Sequence, residues 1–221
     1  MDYEKARYNM VECQIRPWDV LDFKLLDAIE EIPREIFVQD KHKELAYAEV
    51  SLPVGNGSYL LEPKVAARMI QALQLKPEDV AMEIGTRTGY GTAILCKMCG
   101  KVDSYDIDAA VQETARKNLE SIGIKNFNLI NADGFEERNL GQKIYDAIYV
   151  GGAMRIIPEA LFRHLNADGG RLIVIEGETP VMSGKLYIKN GDDLSARTLF
   201  ETKANYLVDA ADSIKKEQFS F

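Results

Sequence analysis

The stretch Val80-Ala-Met-Glu83-Ile-Gly85-Thr-Arg87-Thr-Gly89-Tyr-Gly91 decides how this chain folds. Val80 to Ile84 reads as a short buried strand, and the glycines after it predict a tight turn into a helix that runs to about Met98. A glycine-bearing turn between the C-terminal end of a strand and a helix lets the backbone approach a ligand closely. The helix N-terminus offers free N–H groups suited to an anion such as a carboxylate. One broken glycine pattern is weak by itself, so its weight depends on what surrounds it.

Downstream, strands alternate with helices, which is the signature of a mainly parallel sheet. Lys101 to Asp106 and Phe127 to Asn131 read as strands, separated by an amphipathic helix from Ala109 to Ile122. Tyr145 to Val150 is a fourth strand, Pro158 to Leu165 a helix, and Arg171 to Glu176 a fifth strand. The turn Asn190-Gly-Asp-Asp193 then joins Lys185–Lys189 to Ser195–Thr202 as an antiparallel hairpin.

Upstream, residues 1 to about 75 are helix-rich. Apolar positions from Val20 to Ile29 line one helical face until the Pro33 region, and Val65 to Leu75 follows Pro63 and stops before Pro77. The expected architecture is one α/β domain over residues 1–221. It has a helical N-terminal part (1–75), a doubly wound, Rossmann-like and mostly parallel sheet (76–178), and a hairpin with tail (179–221). Such a sheet closed by a hairpin is common among methyltransferases.

The chain has 221 residues and a formal net charge of −8. Its Lys and Arg are scattered, whereas a phosphate-tracking groove needs them clustered, so no nucleic-acid partner is expected. The nearest approach to a run, Lys215-Lys216, sits in the polar tail. No segment reaches the roughly 20 apolar residues of a membrane span, and no membrane association is expected. A charged N-terminus and three cysteines point to reduced thiols and a cytoplasmic location.

Asp106 ends the strand about 20 residues after the glycine turn, where a carboxylate can accept both ribose hydroxyls. Asp133-Gly134 follows the third strand, in reach of an adenine edge. Each acidic residue alone fits a helix cap or a turn better. Together, three such loops at the ends of successive strands favour a nucleoside ligand. The turn lacks the second close glycine that a pyrophosphate requires, and Glu83 suits the ammonium of an amino-acid ligand. Adenosylmethionine is therefore preferred over NAD.

Here a resemblance becomes specific. Met10-Val-Glu-Cys-Gln-Ile15, Ile32-Pro-Arg-Glu-Ile-Phe-Val38, Leu52-Pro-Val-Gly55, Glu83-Ile-Gly-Thr86, Ala132-Asp-Gly134, Tyr145-Asp-Ala-Ile148 and Asp168-Gly-Gly-Arg-Leu172 resemble protein-L-isoaspartate O-methyltransferases. The matches keep their order from about residue 9 to residue 178. The resemblance implies methyl transfer from S-adenosyl-L-methionine to a carboxylate of an isoaspartyl residue. By position, Glu83, Gly85, Thr86, Gly89, Asp106, Asp133 and Gly134 would contact the cofactor, with Arg87, Thr88 and Ile107 in the same loops. Gly151, Gly152 and Ala153 would flank the acceptor, together with Tyr59 and Glu62.

Two positions depart from the family. Its Thr-Ile-Ser-x-Pro segment reads Tyr59-Leu-Leu61-Glu62-Pro63 here, which puts Leu61 in place of the active-site serine and leaves the catalytic residue unassigned. Arg87 stands where the cofactor loop has its middle glycine. It either contacts the methionine carboxylate or crowds the cofactor, and it is strained if the turn needs positive φ. The acceptor is accordingly expected to be a protein, peptide or small-molecule carboxylate other than an ordinary isoaspartyl peptide, and a binding module without catalysis stays open.

Cys96-Lys-Met-Cys99 has metal-pair spacing but lies within a helix, so buried structural cysteines are expected and no metal site. His42 and His164 show no catalytic partner. The Phe219-Ser-Phe221 ending leaves groove packing or a homodimer contact open.

Overall fold

The computed structural model describes residues 1–207. The readings of Lys215-Lys216 and of Phe219 to Phe221 lie outside the described residues. The N-terminal part holds α1 (Tyr3–Met10), α2 (Phe23–Glu31) and short π and 3-10 turns between Val11 and Leu45. The side chain of Asp22 caps α2 by accepting the Lys24 and Leu25 N–H groups. Within this helical region lies a small antiparallel hairpin that the helix-rich expectation did not include, β1 (Leu52–Gly55) and β2 (Ser58–Leu60). Its turn is Asn56-Gly57, both at positive φ, which is the pairing a tight hairpin turn requires. Next comes α3 (Pro63–Ala72), with proline at its first position.

The main sheet has seven strands: β3 (Val80–Ile84), β4 (Lys101–Asp106), β5 (Phe127–Asn131), β6 (Ala147–Met154), β7 (Asp168–Glu178), β8 (Val181–Asn190) and β9 (Asp193–Thr202). Their order is β5-β4-β3-β6-β7-β8-β9, with β3 to β7 parallel and the last two antiparallel. Strand order reverses at β3, and in such sheets that is where ligands bind.

Side chains alternate between two cores. Ala81, Tyr149 and Ile173 join the larger one, under α2, α3 and α4 (Tyr90–Met98). Met82, Ile148 and Leu172 join the other, under the single turns α6 (Glu137–Leu140) and α7 (Ala160–Arg163). Helices thus cover both faces, as a doubly wound sheet requires. The helix expected over Pro158–Leu165 is only the turn α7. Conversely, β6 runs on through Gly151 and Gly152 and is buried along its whole length. A register shift between Tyr149 and Ala153 bulges it there against β7.

No helix among the described residues is long and apolar enough to cross a membrane.

Candidate functional site

The glycine loop is held by β4. The N–H groups of Gly85 and Thr86 donate to the Tyr105 carbonyl at 2.8 and 3.3 Å. The Arg87 N–H donates to the Asp106 carboxylate at 2.8 Å. Gly85 (φ +92°) and Gly89 (φ +93°) take conformations that L side chains rarely adopt, which lets the chain turn between strand and helix. Arg87 sits between them at φ +51°, so the positive φ feared from the sequence is present at a side-chain-bearing residue.

In front of this loop opens a crevice of about 450 Å³ at the C-terminal ends of β3 and β4. Asp106, Ile107, Asp133 and Gly134 line it, with Asn56 and Ser58 of the β1–β2 hairpin on the opposite wall. At Gly134 a Cβ would stand 3.0–3.2 Å from Ile84, Tyr105 and Met82, so those side chains would have to give way to a larger residue. The Asp106 carboxylate also accepts the Asp108 N–H, and Asp133 accepts the Phe135 N–H. A carboxylate has room for about four hydrogen bonds, so Asp106, with two, keeps capacity for ligand hydroxyls or amines.

Behind the loop lies a second, far smaller cavity of about 20 Å³, bordered by Glu83, Arg87, Arg34, Leu61, Tyr90 and Tyr149. Strand register explains Glu83. It is paired to Ser104 on one side and Tyr149 on the other, deep in the sheet. Burial pushes its carboxyl up to about 7, against the hydrogen bonds from Ser104 and Thr92 and the nearby Arg87 charge. Burial likewise lowers the pKa of the Arg34 and Arg87 guanidiniums. Arg34 donates to the carbonyls of Ala46 and Leu61, and lies 4.4 Å from the centre of the Tyr90 ring. Its Nη1 has no hydrogen-bond partner.

The sequence-expected residues therefore divide. Gly85, Arg87, Asp106, Ile107, Asp133 and Gly134 line the crevice. Glu83 and Thr86 line the inner cavity instead, with Gly85 and Arg87 in the walls of both. Thr88 faces away, its hydroxyl donating to the Phe37 carbonyl at 2.6 Å. Gly89 packs against α5 (Ala109–Ser121), where a Cβ would press on Ala115 and Leu119.

Leu61 is buried at the inner cavity, while Tyr59 and Glu62 line neither space. Burial raises the Glu62 carboxyl, opposed by Lys64. The Gly151 carbonyl accepts from Arg87, and Ala153 is bridged to Tyr206. The face of Gly151 and Gly152 that the sequence expectation gave to the acceptor is thus covered by Arg87 and Leu207.

Asn56, Ser58, Arg34 and Leu207 were not among the sequence-expected residues. The Asn-Gly turn after Val54 was a readable hairpin signal for the first two. Nothing local marks the other two, which arrive through tertiary packing. Cys96 and Cys99 are free and buried, and burial raises both thiols. His164 is buried, with Nδ1 2.8 Å from the Lys143 carbonyl.

Residues 7–208 match the family model described as protein-L-isoaspartate(D-aspartate) O-methyltransferase. A protein-L-isoaspartate O-methyltransferase of Koribacter versatilis is 35% identical over 182 residues, covering 82% of this chain and 80% of that protein. One from Methanoregula boonei is 37% identical over 171 residues, or 77% of this chain and 78% of that protein.

Among solved structures, a protein-L-isoaspartate O-methyltransferase superposes with a TM-score of 0.76 at 24% identity, covering 94% of this chain and 66% of that one. The chain therefore spans about two thirds of that structure's length. A Plasmodium falciparum structure, described as a putative protein-L-isoaspartate O-methyltransferase in complex with S-adenosyl-L-homocysteine, gives 0.74 at 19% identity over 94% and 98% of the two chains. At these identities the two structures establish the shared fold.

Proposed function

The chain belongs to the protein-L-isoaspartate(D-aspartate) O-methyltransferase family, and from that premise we propose that it transfers a methyl group from S-adenosyl-L-methionine to a carboxylate of a protein or peptide. The observation that carries this reading is the crevice at the strand-order reversal, with Asp106 and Asp133 at the ends of neighbouring strands. Such a crevice fits the nucleoside portion of the cofactor. Asp106 would take the ribose hydroxyls, and the Asp133-Gly134 loop would border the base. Behind the Arg87 guanidinium, which stands between the ends of β3 and β6, only about 20 Å³ is open, too little for the amino-acid portion.

The cofactor supplies an electrophilic methyl group. A carboxylate acceptor is ionised at neutral pH, given an ordinary Asp pKa of about 3.9, so the protein needs no general base. Its task is alignment, and effective molarities of roughly 10⁵–10⁸ M for well-placed groups show how much alignment can contribute. The buried Leu61 offers no hydroxyl to orient the acceptor, so acceptor choice departs from ordinary isoaspartyl peptides.

Purified protein incubated with methyl-tritiated cofactor is expected to label base-labile carboxyl positions in extract protein, and an isoaspartyl peptide far more slowly. Peptide labelled as fast as extract protein overturns the acceptor assignment. Absence of label in both, with cofactor binding retained, makes the protein a binding module.

A further inference from the structure

The Arg87 side chain does not reach for solvent. From its left-handed backbone it runs back between the ends of β3 and β6, where only 5% of the residue is exposed. Its Nη1 donates to the Gly151 carbonyl, and a Cβ on Gly152 would stand 2.7 Å from Nη2. Gly85 lies on the other side, its Cβ position 3.8 Å from Cζ. Leu207 closes the remaining gap, 2.8 Å from that same Cβ position on Gly85. Nε has no hydrogen-bond partner.

Arg87 is thus in the wall of both spaces, with about 450 Å³ in front of it and about 20 Å³ behind. One water needs roughly 10–15 Å³ measured in this way, so the inner cavity has room for about one water and not for an amino-acid chain.

Three glycines, Gly85, Gly151 and Gly152, make this close approach of the guanidinium possible. A side chain placed on Gly151 or Gly152 would compete with the guanidinium for the same volume. In this chain the Arg87 guanidinium fills that volume. Filling it desolvates a cation and leaves one N–H unpaired, which makes the filled arrangement costly. A ligand group that enters must displace the guanidinium or bind without reaching it.

We infer that Arg87 is a specificity-determining residue that divides the crevice, so that a nucleoside without a 5′ chain binds to the protein as it stands, whereas a nucleoside bearing an amino-acid chain binds only once the guanidinium has left Gly151. This rests on the nucleoside reading of the crevice. Charge adds a second selection. Two cations repel, and the buried Arg87 guanidinium is poorly screened by water, so a sulfonium is opposed more than the neutral thioether of the same shape. The wild-type order of affinity is then adenosine first, S-adenosylhomocysteine second and S-adenosylmethionine last.

Titration calorimetry with these three ligands tests the inference on the full chain and on the variants Arg87→Gly and Arg87→Met. In the wild type, S-adenosylhomocysteine is expected to bind no more tightly than adenosine. Arg87→Gly, which also suits the positive φ, should tighten S-adenosylhomocysteine at least tenfold relative to adenosine, and S-adenosylmethionine further. Arg87→Met keeps length without charge, so it should narrow the gap between the sulfonium and the thioether.

Wild-type protein that holds S-adenosylhomocysteine a hundredfold more tightly than adenosine, with the preference lost in Arg87→Gly, would make Arg87 a partner of the ligand carboxylate and overturn the inference. That measurement stands on the wild type alone if a variant fails to fold. Binding of the tailed ligands without any effect of Arg87→Gly refutes the inference and spares the nucleoside reading. No binding of any ligand to any of the proteins refutes both.

Discussion

Glu83 is acidic because of its side chain and weakly so because of its surroundings. On the sequence it is a carboxylate at a strand end, suited to a ligand ammonium. In the fold it is 1% exposed, fixed by Ser104 and Thr92, with Arg87, Asp106 and Tyr149 as its charged or titratable neighbours. Its carboxyl rises from 4.5 to about 7. Below pH 4.5 both folded and unfolded chains carry the proton, and the folded state keeps its full advantage. Between 4.5 and about 7 the unfolded chain ionises first, so that advantage falls and is gone above the folded value. Glu83→Gln removes the effect. The difference in unfolding free energy, wild type minus variant, should drop by about 3 kcal/mol between pH 4.5 and pH 8 in urea titrations. A difference that stays flat across that range would mean that Glu83 titrates normally.

At the scale of elements, the start of α5 shows how local chemistry and tertiary contact meet. The Asp108 side chain accepts the Ala110 and Val111 N–H groups, a standard helix cap that an acidic residue before an amphipathic stretch announces. Its other oxygen accepts from Asn56, which ties the small hairpin to the crevice rim. Asp108→Ala should cost about 1 kcal/mol through the lost cap. For a chain of this size that lowers Tm by roughly 2–4 °C, and scanning calorimetry would read it. Strands β3, β4 and β5 fall on the residues that their patterns indicate, because flanking turn residues bound each one. The extension of β6 through Gly151 and Gly152 was illegible, since glycines in a sequence read as a stop. After those two glycines the strand regains its pairing with β7 at Ala153 and Met154, a long-range contact that no local pattern announces.

Across the whole molecule, Arg171 at the start of β7 joins pieces far apart in the chain. It pairs with Asp79 before β3 and donates Nε to the Leu73 carbonyl at the end of α3, at 2.9 Å. Asp79 is 5% exposed, so removing the guanidinium strands a buried carboxylate. Arg171→Met should therefore destabilise the fold by about 3 kcal/mol or more. A denaturant midpoint unchanged within error would show that water replaces the pair.

The sequence by itself determined the alternating architecture, the family, and the crevice lined by Asp106 and Asp133. These depend on short-range patterns, namely hydrophobic period, turn residues and carboxylates at strand ends, each legible within about a dozen residues. Only the tertiary structure decided what Arg87 does. A guanidinium in a glycine loop can turn outward or inward, and local chemistry does not choose between them. The inward path exists because β6 brings Gly151 and Gly152 alongside Gly85, and because Leu207 returns from the far end of the chain to close it. Space between strands is a property of their packing, and packing is set by residues that no local pattern connects.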